Sequence, residues 1–320
     1  MTRKHGLLAL QAVVTIGLLW LLFRSFNWPA FAAVIRRLSV GFVAGGFAAI
    51  LAGQLLYAWR WQVVLRGMGF RLPYGEVLQQ YLIGIFFGNL MPTAVGGDAA
   101  KVYYLGRKVG YVEVGASVFV DRFLGFLWLS LLGASLAWTV GAPTSLLVLN
   151  RNLLTGAAAT FAAILAIVWL VPVERLIPGV LRRGRWGATA ERLEQFARYV
   201  RVGGCRPVTL AASAFVVGTT ILLMSLMYQQ FFAASGAITP PLAPVMNAVV
   251  SMSIFINIPI SVNGIGLREQ LHYLLFDSMG LPKEVSVSLS LLVFGYLLVL
   301  SLMGYLVWLR LQSRAEHHPA

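Results

Sequence analysis

The sequence predicts an all-α polytopic membrane protein of about six full spans plus two opposed re-entrant helical hairpins in an inverted repeat. Three observations predict it. Of 320 residues, 59% are hydrophobic and 11% charged, with a mean hydropathy of +0.79. Charge-free apolar stretches of membrane-spanning length recur along the chain. Two segments, around Pro92 and Pro259, interrupt that pattern in the same way. A soluble domain holds about 45–50% apolar and about 25% charged residues. A chain this apolar cannot hide its surface from water, so lipid must be its solvent. That excludes a soluble enzyme, a nucleic-acid-binding domain and a disordered regulator. The formal net charge of +14 fits arginines on cytoplasmic loops facing anionic head groups, and no nucleic-acid partner is expected. The single cysteine, Cys205, excludes an internal disulfide and a cysteine metal cluster. No metal and no cofactor are expected.

A span needs about 20 apolar residues at 1.5 Å rise each. Residues 6–23 follow a short basic start and no small-residue cleavage site follows them, so they form the first span rather than a leader. Residues 38–59 form the second. The stretch 77–97 is also long enough, but a full crossing would place the basic segment 101–108 outside and invert every later loop. A hairpin that enters from the cytoplasm and turns back satisfies the positive-inside rule. The stretch from Asn89 through Pro92 and Gly96-Gly97 to Asp98 supplies the turn. Proline breaks the helix and paired glycines permit a tight reversal, so 77 to about 104 is expected to be re-entrant.

Spans follow at 123–140, 153–171 and 208–232. Between the last two, residues 174–206 hold eight arginines and three glutamates. There Leu193, Phe196, Ala197 and Val200 recur at helical spacing, with Arg192, Glu194, Arg198 and Arg201 between them. That pattern predicts an amphipathic helix on the cytoplasmic membrane surface, drawn to anionic head groups. The charge-free turn at Ser235-Gly236 belongs outside, with Arg24, Arg36 and Arg37; the loop 60–71 belongs inside. A second hairpin then enters from outside, and the span 285–309 returns the chain to the cytoplasm. Both termini are expected in the cytoplasm, in a multi-pass protein of the inner cell membrane. Trp28, Tyr57, Trp59, Trp61 and Trp308 sit at span ends and suit interface belts.

The two interruptions match each other. Pro92-x-x-Val95-Gly96-Gly97 and Pro259-x-x-Val262-Asn263-Gly264 share their internal spacing. Each is followed by a short helical stretch, a glycine (Gly110, Gly280), a glutamate (Glu113, Glu284) and a span. The chain is therefore expected to be one integral membrane domain, 1–320. Its first repeat covers about 77–141 and its second about 243–309, with the basic loop 174–206 between. Inverted repeats with broken helices meeting near the midplane are a transporter architecture.

Only eleven acidic residues occur, so those within apolar stretches stand out. Asp98 and Lys101 follow the first turn, Asp121-Arg122 interrupts the next apolar run, and Arg268-Glu269 follows the second turn. An ionisable group at membrane depth costs about 2.5–3.5 kcal/mol even on insertion scales, so it faces a cavity or a partner. The functional reading is a polar cavity for a lipid head group, with Asn89, Asn257 and Asn263 at its walls. Lys101, Arg122 and Arg268 would contact phosphate. Asp98, Asp121 and Glu269 would hold those cations or bind an amine or sugar. Free N–H groups at Gly96-Gly97 and from Gly264 to Gly266 would cradle an anion. The competing reading is that the charges pair with one another and lock the hairpins. His272 is read as a structural or interfacial residue at the outer face. No catalytic residue is assigned. Two further functions compete: a membrane transferase acting on a polyprenyl-phosphate donor, with Asp98, Asp121 or Glu269 as base, and a scaffold of an envelope-synthesis complex. Against the transferase stand the lack of closely spaced carboxylates and of a nucleotide-binding glycine loop.

The stretches 89–101, Asp121-Arg122 and 259–269 resemble the flippase-like transmembrane domain of the lysylphosphatidylglycerol synthases. The specific motifs are Pro-x-x-x-Gly-Gly-Asp-x-x-Lys, the later acid-arginine pair, and Gly-x-Gly-x-Arg-Glu. The resemblance implies a polytopic protein that moves or binds lipid. That lipid is an aminoacylated phosphatidylglycerol in some members and a polyprenyl-linked sugar in others. It implies a membrane phospholipid or polyprenyl-phosphate lipid as partner. A second copy of the chain or an envelope-synthesis enzyme is the protein partner expected, the latter from the scaffold reading. The soluble aminoacyl-transferase domain of the bifunctional members is lacking, so lysyl transfer is not expected. Val262-Asn263 stands where Pro-Gly is expected in the second turn.

Overall fold

The computed structural model describes residues 3–24, 26–91, 96–141, 144–171, 187–258 and 261–317. Among them every regular element is helical. In chain order they are α1 (Arg3–Phe23), α2 (Trp28–Arg37), α3 (Val40–Gly67), α4 (Tyr74–Leu90), α5 (Gly96–Val109) and α6 (Tyr111–Val140). There follow α7 (Ser145–Leu170), α8 (Gly187–Gly204), α9 (Pro207–Ser235) and α10 (Leu242–Phe255), a 3-10 turn at Val262–Gly264, α11 (Leu267–Asp277) and α12 (Lys283–His317). Helices α3, α6, α7, α9 and α12 are long and apolar enough to cross a membrane. The number reaches six if α1 and α2, which meet at 86°, count as one broken span. This is the all-α polytopic architecture the composition predicts.

Local chemistry explains where these helices start. Asn27 Oδ1 accepts from the Ala30 N–H at 3.0 Å and opens α2; Ser39 Oγ accepts from Phe42 N–H at 3.1 Å and opens α3. Thr144 caps α7 in the same way. Such caps satisfy N–H groups that the helix itself leaves orphaned. Gly110 (φ 122°) and Gly280 (φ 79°) sit at the breaks that precede α6 and α12. Both occupy backbone conformations that L side chains rarely adopt.

The remaining helices are short. α4 has 17 residues, α5 and α10 have 14, and α11 has 11. At 1.5 Å per residue none reaches the roughly 30 Å of a bilayer's hydrocarbon core. α4 packs on α5 and on α12, α10 packs on α6, and α11 packs on α12. The turn residues Pro92 and Pro259, on which the sequence reading of both hairpins rests, lie outside the described residues, as does 172–186. The approach of α4 to α5 is close because both faces lack side chains. Gly84 and Gly88, four apart on α4, face Gly97 on α5, where a Cβ would run into the Gly84 carbonyl. Small residues four apart let helix backbones touch where lipid offers no hydrophobic drive. The main buried cluster joins α9, α10, α11 and α12 through Phe231, Phe232, Val249, Phe276 and Leu289.

Two expectations are corrected. Arg60 and Trp61 are not on a cytoplasmic loop, because α3 continues to Gly67 and buries both. The apolar run after Arg60 carries the helix on, and the Trp61 Nε1–H donates to Ser117 Oγ at 3.1 Å. The basic helix α8 forms over 187–204, but Phe196, Tyr199 and Val200 pack on Val64, Met68 and Val120 of this chain, while Leu193 is exposed. Its apolar face is therefore largely covered by α3 and α6. His272 is 1% exposed, which fits the structural side of its sequence reading.

Candidate functional site

A cavity of about 460 Å³ lies among α3, α4, α5, α6, α9, α10, α11 and α12. Its lining includes the charged side chains Arg60, Asp98, Lys101, Asp121, Arg122 and Arg268 and the apolar side chains Ile50, Ile85, Leu129, Ile221, Met224 and Met252. Ligand pockets commonly measure about 300–1,000 Å³.

Asp98 lies in the first turn of α5, where the helix dipole favours a carboxylate. It accepts from Arg122 Nε at 2.9 Å and Nη2 at 3.2 Å, and from Lys101 Nζ at 3.4 Å. Lys101 is buried against the Tyr81 ring, 4.3 Å from its centroid. A Cβ on Gly84 would stand 2.7 Å from Lys101 Cε, so the glycine face of α4 makes room for the lysine stem. Asp121, one position before Arg122, points to a different partner. It accepts from Arg60 Nε at 2.7 Å and Nη2 at 3.0 Å, a buried bidentate pair between α6 and α3. Such forked geometry is what arginine offers and lysine does not.

The second helix pair is arranged differently. Arg268 is 6% exposed and lines the cavity beside Gly264. Among the described residues its guanidinium has no hydrogen-bond or ion-pair partner; the Phe294 ring lies 5.1 Å from it. Glu269 turns the other way. Its Oε2 accepts from the Gly266 N–H at 2.7 Å and its Oε1 from Ser290 Oγ at 3.2 Å, which caps α11 and ties it to α12. Gly266 packs against Thr15 and Leu18 of α1. Glu269, Gly266 and Gly96 are therefore not among the lining residues, whereas Gly97 and Gly264 are.

The asparagines connect the two pairs. Asn263, at φ 50°, donates from Nδ2 to the Asn89 carbonyl and to its Oδ1, each at 3.4 Å. Asn89 donates to the Leu297 carbonyl on α12 at 3.3 Å. Asn257 is exposed, donates to the Ser253 carbonyl at 2.7 Å and also lines the cavity. The structure thus brings Asn89, Asp98, Lys101, Asp121, Arg122, Asn257, Asn263 and Arg268 to one cavity from residues up to 179 positions apart, as the span from Asn89 to Arg268 shows.

Sequence reading missed Arg60, Tyr57 and Tyr228. The signal for Arg60 was the apolar Trp61-Gln62-Val63-Val64-Leu65 that follows it, too long a continuation for a loop. Tyr57 OH and Thr220 Oγ1 share a hydrogen bond of 3.0 Å on the cavity wall. His272 Nδ1–H donates to the Arg268 carbonyl at 2.8 Å, which leaves Nε2 to accept from the Tyr228 hydroxyl at 2.9 Å. No group of three or more His, Cys, Asp or Glu among the described residues is placed to hold a metal.

Fold and cavity define a class: a multi-pass α-helical membrane protein with a charged cavity between two pairs of short helices. The chain belongs to the family described as the lysylphosphatidylglycerol synthase TM region, which matches residues 8–304. A UPF0104 membrane protein of Pyrococcus horikoshii is 25% identical over 322 aligned positions that cover 91% of each chain. No solved structure matches the chain. The family implies a membrane lipid-related role.

Proposed function

We propose that the protein is a lipid transporter of the flippase type, not an enzyme. The head group of an anionic or zwitterionic phospholipid, or of a polyprenyl-linked lipid, occupies the cavity while its chains stay among apolar surfaces. The single observation that carries this is the mixed lining: one cavity offers charged groups as well as aliphatic and methionine side chains, the two chemistries a lipid presents at its head and neck. In this reading α4/α5 and α10/α11 are re-entrant hairpins from opposite faces of the inner membrane. They belong to inverted repeats near 77–141 and 243–309, and both termini are cytoplasmic. Alternating movement of the hairpins exposes the head group to each face in turn. The contact between Asn89 and Asn263 is where the two hairpins would part.

The test is reconstitution into vesicles with a labelled phospholipid. Wild type is expected to translocate label faster than protein-free vesicles, and Arg122→Ala and Arg268→Ala to fall to the protein-free rate while still folded. Translocation no faster than in protein-free vesicles sinks the reading. Equal rates for wild type and both variants remove the roles assigned to the arginines. A second reading, that the charges only lock the fold, draws on the internal pairing of Asp98 with Lys101 and Arg122; it predicts that both variants transport normally.

A further inference from the structure

We infer that Gln54, Tyr57 and Tyr81 form an uncharged hydrogen-bonding subsite that reads hydroxyl groups, so that the cavity favours a polyol head group (glycerol, inositol or a sugar) over an alkyl or ammonium one. This rests on the head-group reading of the same cavity and names the chemistry within it. Gln54 interrupts the apolar run 40–59 midway along α3. It shares the cavity face of that helix with Ile50, Tyr57 and Arg60, at the three- and four-residue spacing that keeps side chains on one side of a helix. Its side-chain amide takes no hydrogen bond among the described residues, although it lines the cavity. An amide held away from bulk water costs free energy until a partner satisfies it.

Two phenols complete the subsite. Thr220 Oγ1 donates its proton to the Val216 carbonyl at 2.8 Å, so in its 3.0 Å bond with Tyr57 the phenol is the donor. The Tyr57 oxygen keeps its lone pairs for an incoming donor. Tyr81 lines the cavity from α4. Lys101 Nζ lies 4.3 Å from its ring centroid, and its hydroxyl has no hydrogen-bond partner among the described residues. Gln54 therefore offers donors and an acceptor, Tyr81 a donor and an acceptor, and Tyr57 an acceptor. A head-group hydroxyl both donates and accepts, which matches that set. A choline group does neither. An ammonium donates but brings a positive charge, and the lining gives it no spare counter-charge. Asp121 is held by Arg60, Asp98 is shared by Lys101 and Arg122, and Glu269 stands beside Arg268.

The experiment titrates defined lipids into the protein in a polyoxyethylene detergent, which has no sugar head group to compete, and counts bound copies by native mass spectrometry. Phosphatidylglycerol and phosphatidylethanol carry the same charge on the same phosphodiester and differ in their head-group hydroxyls. Wild type is expected to bind phosphatidylglycerol about tenfold tighter than phosphatidylethanol, the equivalent of one or two net hydrogen bonds. Phosphatidylethanolamine and phosphatidylcholine are expected to bind no tighter than phosphatidylethanol. Gln54→Met and Tyr81→Phe are each expected to cut the preference about threefold, and together to erase it. Phosphatidylethanol affinity and melting temperature should stay unchanged in these variants, whereas a merely structural role would weaken both lipids alike. Glycerophosphoglycerol, the same head group without chains, is expected to bind far more weakly; equal binding would assign the subsite to a soluble polyol and overturn the inference for a lipid. Equal binding of phosphatidylglycerol and phosphatidylethanol, tighter binding of phosphatidylethanolamine, or a folded double variant that keeps the preference overturns the inference and leaves the transporter reading standing. Binding of none of the lipids overturns both.

Discussion

The helix pairs α4/α5 and α10/α11 have matching sequence spacing and opposite electrostatics. In the first, Asp98 joins Lys101 and Arg122, and the helices meet across Gly84, Gly88 and Gly97. In the second, Arg268 has no anionic partner among the described residues, and the link into α11 runs through Asn263, Gly264 and Gly266, all at positive φ. The first pair is close-packed around an internally compensated carboxylate. The second holds, in the first turn of α11, a cation with no ion-pair partner among the described residues. Both acids follow a glycine-rich turn, yet Asp98 reaches across to α6 while Glu269 folds back on its own helix start. Equal spacing does not dictate which charge finds which partner.

Three substitutions break or sharpen this contrast. Asp98→Ala leaves buried Lys101 beside Arg122 with no shared carboxylate, and is expected to cost about 3–5 kcal/mol of unfolding free energy. Denaturant titration in mixed micelles measures it, and a loss below about 1 kcal/mol denies the network its role in holding α5 to α6. Gly97→Ala comes next. Its Cβ meets the Gly84 carbonyl, so the pair must part, at about 1–3 kcal/mol; unchanged stability would show that the glycine face is not what sets the approach. The smallest effect belongs to Arg268→Gln in lipid-free protein. Removing an unpaired cation relieves its desolvation, so stability should stay within about 1 kcal/mol of wild type or rise. A loss as large as that of Asp98→Ala would erase the contrast between the pairs.

Much of the site was legible because membrane segments tolerate few charges. Asp98, Lys101, Asp121, Arg122 and Arg268 were singled out by position in apolar runs, and all line the cavity. Arg60 was not, because a cation at the end of an apolar stretch resembles the usual boundary of a span. Glu269 was grouped with the cavity because it adjoins Arg268, but adjacent helix positions point about 100° apart, and its oxygens reach the Gly266 N–H instead. The amphipathic pattern around Phe196 correctly announced a helix. Periodicity reports that one face is apolar, not whether lipid or protein covers it.

By itself the sequence determined that lipid is the solvent, that the elements are helices, that glycine breaks at Gly110 and Gly280 precede the long helices α6 and α12, and which ionisable groups had to be sheltered. These follow from composition, hydropathy and local backbone preference, all properties of neighbouring residues. Tertiary structure alone decided that Asp121 takes Arg60, 61 positions away, that Asp98 takes two cations, and that Arg268 takes none. Pairing depends on which helix faces meet, and in this chain that is set by close backbone approaches such as Gly84 to Gly97, a contact between helices that no local pattern encodes.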